Sequence, residues 1–345
     1  MLMDFPQRAS LTLTNACNLK CRMCGQWSNE GYMHGMKENL KQEMPLLDWK
    51  SCVDELAEHD ITSVLLRGGE TFLYPDIIEL LEYFKLKGVF TSIDTNGTQL
   101  KKFAEDIIRI GNIHLTISID GPEQIHDNVR GIKGTFKRVK EGVSLLNELE
   151  KKKDKKISKA INFTISGFSY KGLGVMPDVA RSLSINIISI VPYYYFPEHV
   201  GKAYEAEMAT HLDCKAYSWR GFHHENSGVD FEEFKAEYRK YLANLGDIHN
   251  YLFIDFSEDD YRVWFTDPLT PVEPLQCNAI EKWIDIQPSG DANFCVDFPD
   301  YVIGNIREST IEKIWNSEKA ELFRAYRRRQ PLPICYRCGA KYMSE

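Results

Sequence analysis

Three cysteines in a C-x3-C-x2-C array, Cys17, Cys21 and Cys24, follow a short apolar run, Leu11-Thr12-Leu13-Thr14. Three thiolates hold three irons of a cubane [4Fe–4S] cluster, whose usual protein complement is four cysteines. The fourth iron is then left for a ligand that is not cysteine, so the array points to chemistry at that iron as well as to electron storage. On a helix the same i, i+4, i+7 spacing would make a small apolar stripe, since buried cysteine behaves as a small hydrophobe. The company argues against a stripe: Asn15, Asn18, Lys20 and Arg22 are poor core residues.

A second set lies near the other end of the chain. Cys277 and Cys295 enclose Gly290 in a C-x12-G-x4-C pattern, and Cys335-Tyr336-Arg337-Cys338 is a C-x2-C. Two cysteine pairs make a tetrahedral zinc site or hold an iron–sulfur cluster, and spacing alone leaves both open. Zinc knuckles usually use two tight pairs, and the first pair here is wide. Cys52 falls inside an amphipathic stretch and reads as core.

Between the two sets, strand-like runs end in short polar motifs. In Arg67-Gly68-Gly69-Glu70 two glycines let the backbone approach a ligand closely, and the carboxylate beside them can accept hydrogen bonds from an ammonium. Thr95-Asn96-Gly97-Thr98 is a turn signal, and Ser118-Ile119-Asp120-Gly121-Pro122 is followed by His126-Asp127 and Arg130-Gly131. Each alone is explained by a loop.

Taken in order, these motifs resemble the radical S-adenosylmethionine (radical SAM) enzymes, in the SPASM/twitch subgroup. The resemblance covers residues 10–195 and 276–343. It implies that SAM chelates the open iron through its amino and carboxylate groups and is cleaved to methionine and a 5′-deoxyadenosyl radical. It implies that Gly68, Gly69 and Glu70 hold the SAM amino group, with Thr71 in place of the usual proline, and that Tyr74-Pro75-Asp76 continues into the next helix. Ser118 would contact the ribose, and Met23 stands where the family usually has an aromatic beside the adenine. Cys277, Cys295, Cys335 and Cys338 would ligate an auxiliary [4Fe–4S] cluster with no open iron. Ser344 stands where a further SPASM cysteine would fall, which points to the shortened, twitch-like form. Cys214 reads as a buried thiol, or, as in epimerising members, as a donor of a hydrogen atom to a product radical. A reducing partner such as flavodoxin or ferredoxin is implied.

The elements that must position these groups are legible as alternating runs. Strands are predicted at Ser10–Thr14, Ser63–Gly68, Val89–Thr95, His114–Asp120, Ala160–Ser166 and Ile185–Tyr193. Helices are predicted at Leu46–His59, Asp76–Lys87, Leu100–Ile110, Phe136–Lys152 and Leu173–Leu183. Crossovers of this size imply parallel strands with helices outside. Six units give an α/β fold built on a partial (β/α)6, TIM-like barrel, whose reactive groups gather at the carboxyl ends of the strands. The expected organisation is a radical SAM core over residues 1–196, a connecting and possibly substrate-binding segment over 197–275 with a helix near Phe231–Leu245, and an auxiliary-cluster domain over 276–345. The stretch Trp219-Arg220-Gly221-Phe222-His223-His224-Glu225 suits a polar substrate or a helix-flanking surface equally.

The chain has 345 residues, a net charge of −8, 43% apolar and 27% charged residues. That is ordinary for a globular protein and disfavours a nucleic-acid partner. The lysines at 151–156 read as a solvated helix end. No secretory signal or membrane-length apolar run is visible, and nine cysteines without such a signal suit metal or redox use in a reducing cytoplasm. The expected function is hydrogen-atom abstraction from a substrate C–H bond. The outcome would be a dehydrogenase-like two-electron oxidation of a small molecule, with the auxiliary cluster as electron acceptor. The alternatives are a peptide maturase that cross-links or epimerises, and a non-enzymatic iron–sulfur carrier, which would have no use for Gly68-Gly69-Glu70. With the first array starting at residue 17, no room is expected for an N-terminal leader-binding domain, which tilts the reading towards a small molecule or a leader-independent peptide.

Overall fold

The computed structural model describes residues 5–36, 42–252 and 254–342; Ser344 lies outside them. Alternation dominates the first half. In chain order the elements are β1 (Arg8–Thr12), α1 (Leu46–Glu58), β2 (Ser63–Arg67), α2 (Ile77–Leu86), β3 (Phe90–Thr95), α3 (Leu100–Ile110), β4 (Ile113–Ser118), α4 (Glu123–Arg130), α5 (Thr135–Lys153), β5 (Ser158–Ile165), α6 (Met176–Ser182) and β6 (Ile187–Pro192). α3 shows why these segments are helical: Leu100, Phe103, Ala104, Ile107 and Ile108 repeat at helical spacing and are all buried against the sheet. α5 ends in Lys151, Lys152 and Lys153, exposed cations that suit a helix C-terminus.

Each of the six predicted strands is present, and neighbours pair in parallel register from β1 to β6. Along β4 the residues Ile113, Leu115 and Ile117 are buried, while His114, Thr116 and Ser118 alternate with them and are partly exposed. One side of the sheet therefore carries branched aliphatics under the helices. The other carries short polar side chains around an interior space, a period-2 pattern unlike that of a sheet covered on both faces.

The later chain adds to the same sheet. α7 (Glu198–Leu212), α8 (Phe231–Ala243), β7 (His249–Leu252) and α9 (Glu258–Thr266) fill the connecting segment, and β7 pairs in parallel with β6. Then come α10 (Ala279–Lys282), β8 (Trp283–Ile286), β9 (Asp291–Asn293), β10 (Gly304–Asn305), α11 (Ile311–Trp315) and α12 (Glu318–Arg329). β8 lies parallel to β1, and the hairpin of β8 with β9 and then β10 is antiparallel. The order β10-β9-β8-β1-β2-β3-β4-β5-β6-β7 makes one ten-stranded sheet. The six-unit core is thus extended at both edges. β7 escapes sequence reading because His249-Asn-Tyr-Leu252 is short and only half-buried, with no apolar run. Among the described residues no helix is long and apolar enough to cross a membrane.

Candidate active site between two cysteine sets

The carboxyl ends of all six core strands open on one cavity of about 330 Å³. Thr12 of β1, Arg67 of β2, Asp94 and Thr95 of β3, Ser118 of β4, Asn162 and Thr164 of β5 and Pro192 of β6 all line it. Six strand ends can surround one space only when the sheet curls, as in a partial barrel.

Cys17, Cys21, Met23 and Cys24 form one wall of this cavity, and neighbouring strand ends hold their loop in place. Gly69 N–H donates to Thr14 O at 2.8 Å and Glu70 N–H to Ala16 O at 2.8 Å. The approach is so close that a Cβ on Gly69 would lie 2.4 Å from Ala16 O. Asn18, between the first two cysteines, donates to Thr98 Oγ1 at 2.8 Å and accepts from Asn96 Nδ2 at 2.9 Å, so the turn after β3 is a clamp on the loop. On the other side Arg22 N–H donates to Val129 O at 2.8 Å, and Arg130 Nη1 reaches Cys21 Sγ at 3.7 Å. Arg130 pairs with the fully buried Asp120, Nε to Oδ2 at 2.6 Å. His126 accepts from Asp120 N–H at 3.2 Å, and burial pushes its pKa well down, which keeps the ring neutral. Asp120 and Arg130, which loops alone would explain, thus support the cysteine array.

Glu70 turns its carboxylate to neighbouring loops. Its carboxylate does not line the cavity; it accepts from Thr95 Oγ1 at 2.6 Å, Asn96 N–H at 2.7 Å and Phe72 N–H at 3.2 Å. A carboxylate buried to 1% exposure needs such donors, and the turn after β3 supplies them. Burial still raises its pKa despite these bonds. The two glycines do line the cavity, and they fit against backbone of residues 14–16.

Burial pushes the Cys17 thiol up to about 12 and the Cys24 thiol up to about 11, and the neighbouring cysteines add to both. Three thiolates crowded in this way need a compensating positive charge, as iron provides. In the second set, burial and mutual repulsion push Cys295 and Cys338 well up. The Arg327 guanidinium sits where all four cysteines, Cys277, Cys295, Cys335 and Cys338, bear on it. Zinc draws its sulfurs to about 2.3 Å from one point. Among the described residues no group of three His, Cys, Asp or Glu is placed to hold a single metal ion. Both sets gather buried thiols whose ionised form needs a compensating positive charge.

Other groups in the cavity are not among the site residues expected from the sequence motifs. Arg67 Nη2 donates to Asp297 Oδ1 at 3.0 Å, and its Nε lies 3.7 Å from Asp94 Oδ2. Burial opposes the guanidinium charge, but Asp297 and Asp94 outweigh it. Asp297 follows Cys295 by one intervening residue, Val296, and Val296 and Asp297 line the cavity. Tyr193 and Tyr194 close the β6 side, and the Tyr194 hydroxyl packs on the backbone of Gly339, next to Cys338. For these two the run Tyr193-Tyr194-Tyr195 at a strand's carboxyl end is a usable signal. Cys214 is not among the residues lining the cavity. Its Sγ donates to Asp300 O at 3.1 Å.

Comparison with known proteins finds matches to two parts of the chain. A model described as the radical SAM superfamily matches residues 11–167, and one described as an iron–sulfur cluster-binding domain, SPASM, matches residues 277–339. Antilisterial bacteriocin subtilosin biosynthesis protein AlbA of Bacillus subtilis (strain 168) is 24% identical, over 98% of this chain and 67% of its own. Fe-coproporphyrin III synthase of Methanosarcina barkeri (strain Fusaro / DSM 804) is 22% identical, over 94% of this chain and 79% of its own. Among solved structures, Streptococcus suis SuiB bound to S-adenosylmethionine aligns with a TM-score of 0.65 at 18% identity, covering 94% of this chain and 68% of that one. That likeness is one of fold.

Proposed function

This chain belongs to the radical SAM superfamily and carries its iron–sulfur SPASM domain, and from that premise we propose an oxidation that uses both cysteine sets on one substrate. It is a radical SAM enzyme, and its cofactors are two [4Fe–4S] clusters and SAM. We assign the first cluster to Cys17, Cys21 and Cys24 and the second to Cys277, Cys295, Cys335 and Cys338. When bound, these groups supply a primary carbon radical that removes a hydrogen atom, and an acceptor for one electron from the resulting substrate radical.

The observation that carries the oxidative reading is the cavity itself. It is lined by the first three cysteines and also by Val296 and Asp297 beside Cys295. A substrate held there lies between the two sets. The chain's own residues then have distinct tasks. Gly68, Gly69 and Ser118 face the space next to the cysteine loop and are the proposed SAM contacts, with Met23 beside the adenine. Arg67, held between Asp94 and Asp297, presents a fixed guanidinium and two carboxylates to the substrate. Tyr193, Tyr194 and Phe222 supply apolar walls that exclude water and stray hydrogen donors. A reducing partner of flavodoxin or ferredoxin type would deliver the starting electron.

A peptide substrate is the second reading, and the likeness to AlbA favours it. One experiment separates them. Reduced enzyme and SAM are incubated anaerobically with deuterated cell extract, split into a small-molecule filtrate and a peptide fraction. Deuterium in 5′-deoxyadenosine is expected from the filtrate, with one-electron reduction of the second cluster. Deuterium from the peptide fraction alone would overturn the small-molecule assignment.

A further inference from the structure

The segment Cys214–His224 matches neither family model, yet it is fastened at both ends to cluster-bearing loops. At one end lies Asp300, buried to 8% exposure on the loop that begins at Cys295. Tyr217 N–H and Ser218 N–H donate to its Oδ1 at 2.8 and 3.0 Å. Ser218 Oγ and Tyr204 Oη donate to its Oδ2 at 2.5 and 2.9 Å. Its main-chain oxygen accepts from Cys214 Sγ. Two donors on each carboxylate oxygen fill the acceptor capacity of an ionised aspartate.

At the other end, the short 3-10 turn Ser218–Phe222 lies flush on the first cysteine loop. A Cβ on Gly221 would fall 1.8 Å from Gly25 O, and one on Gly25 would fall 2.4 Å from the Phe222 ring. Phe222 is a cavity wall and is tied to β6's exit by Phe196 N–H to Phe222 O at 3.0 Å and His224 N–H to Phe196 O at 3.2 Å. The chain of contact runs from Asp300 through Ser218 and Phe222 to Gly25, the neighbour of Cys24.

We propose that Asp300 is a positioning residue that makes Cys214–His224 a wall of the catalytic cavity, so that the C-terminal iron–sulfur domain sets the shape of the SAM site across the molecule. The proposal rests on the reading that this cavity takes SAM. It accounts for both the half-buried Cys214 and the aromatic stretch from Trp219, which the chemistry at the clusters leaves without a role.

The test compares anaerobically purified holoenzyme with Asp300→Asn, Ser218→Ala and Gly221→Ala. The last acts on the same segment from the far end and does not touch Asp300. Iron and sulfide per chain should match wild type in Asp300→Asn and Ser218→Ala, whereas Gly221→Ala, whose Cβ would fall on Gly25 O, should lose iron from the first cluster only and is compared per remaining cluster. SAM Kd should rise roughly tenfold, the SAM-induced change in the electron paramagnetic resonance spectrum of the first cluster should be altered, and 5′-deoxyadenosine released without substrate should increase. Asp300→Asn combined with Gly221→Ala should be less than additive. Wild-type SAM Kd and spectra in the variants would overturn the proposal. So would loss of the second cluster in Asp300→Asn with the first cluster's spectrum unmoved, since Asp300 would then serve only its own domain. If Asp300→Asn does not fold, unchanged SAM binding in Ser218→Ala and Gly221→Ala overturns the proposal just as well. Failure of wild type to bind SAM would overturn the cavity assignment instead.

Discussion

Glu70 shows how much one buried side chain decides. Its two oxygens take three donors from the end of β2 and the turn after β3, and that turn in turn clamps Asn18. Glu70→Gln turns an amide N–H₂ towards one of those donors. It should cost about 1–3 kcal/mol, read by anaerobic denaturation, and lower first-cluster iron content. Asp285 makes a different prediction. It is fully buried on β8, accepts from Ser10 and Gln287, and burial raises its pKa to about 6, with Arg67 and Asp297 as the charged neighbours. The native state therefore holds this proton more tightly than the unfolded chain, whose aspartates titrate near 3.9. The stability contribution is present at low pH and is lost as pH rises through about 6. Relative to Asp285→Asn, wild type should lose on the order of 2–3 kcal/mol between pH 4 and pH 7. A thermal-melt difference that stays flat with pH would refute it. Neither role is legible in sequence, because Gly-Gly-Glu reads the same whether its carboxylate faces a ligand or a neighbouring turn.

At the scale of elements, α9 is the clearest case of position decided by a distant residue. Arg337, between Cys335 and Cys338, is 1% exposed and donates to Val263 O, Trp264 O and Thr270 O at 2.9–3.0 Å, and also to Asp267 O. It closes the carbonyl end of α9. That helix then touches the β6 exit, with Trp264 Nε1 donating to Tyr193 O at 3.0 Å and Tyr195 Oη to Phe265 O at 3.1 Å. Arg337→Met keeps the length but orphans several buried carbonyls. A loss of roughly 3–5 kcal/mol is expected, together with depleted second-cluster iron. Intact iron and stability in this variant would show that the carbonyls find other donors. The core strands and their helices follow from period and apolar spacing alone. α9 and β7 do not, because their apolar faces are short and meet partners contributed by other segments.

For the whole molecule, the C-terminal strands matter as much as the cysteines they carry. β8 pairs with β1, so the second cysteine set is built onto the same sheet that presents the first. Removing the second set should leave the first in place, because the loop of Cys17, Cys21 and Cys24 is held by β2, by the turn after β3 and by α4. Cys335→Ala with Cys338→Ala should halve the iron per chain and still release 5′-deoxyadenosine from SAM, while oxidised product falls by roughly 10²-fold or more. Undiminished product would mean that the second cluster takes no electron from substrate.

By itself the sequence determined the two candidate cysteine sets and the succession of six parallel strands. Thiolate chemistry and cysteine spacing are local properties, and so is the alternation of apolar runs that builds parallel strands. What met in the cavity was decided only by the tertiary structure. Arg67 and Asp297 are 230 residues apart and no local rule pairs them. Curling of the sheet brings them together, and tertiary packing sets Asp300 under Tyr217 and Ser218, in the segment whose Gly221 lies on Gly25.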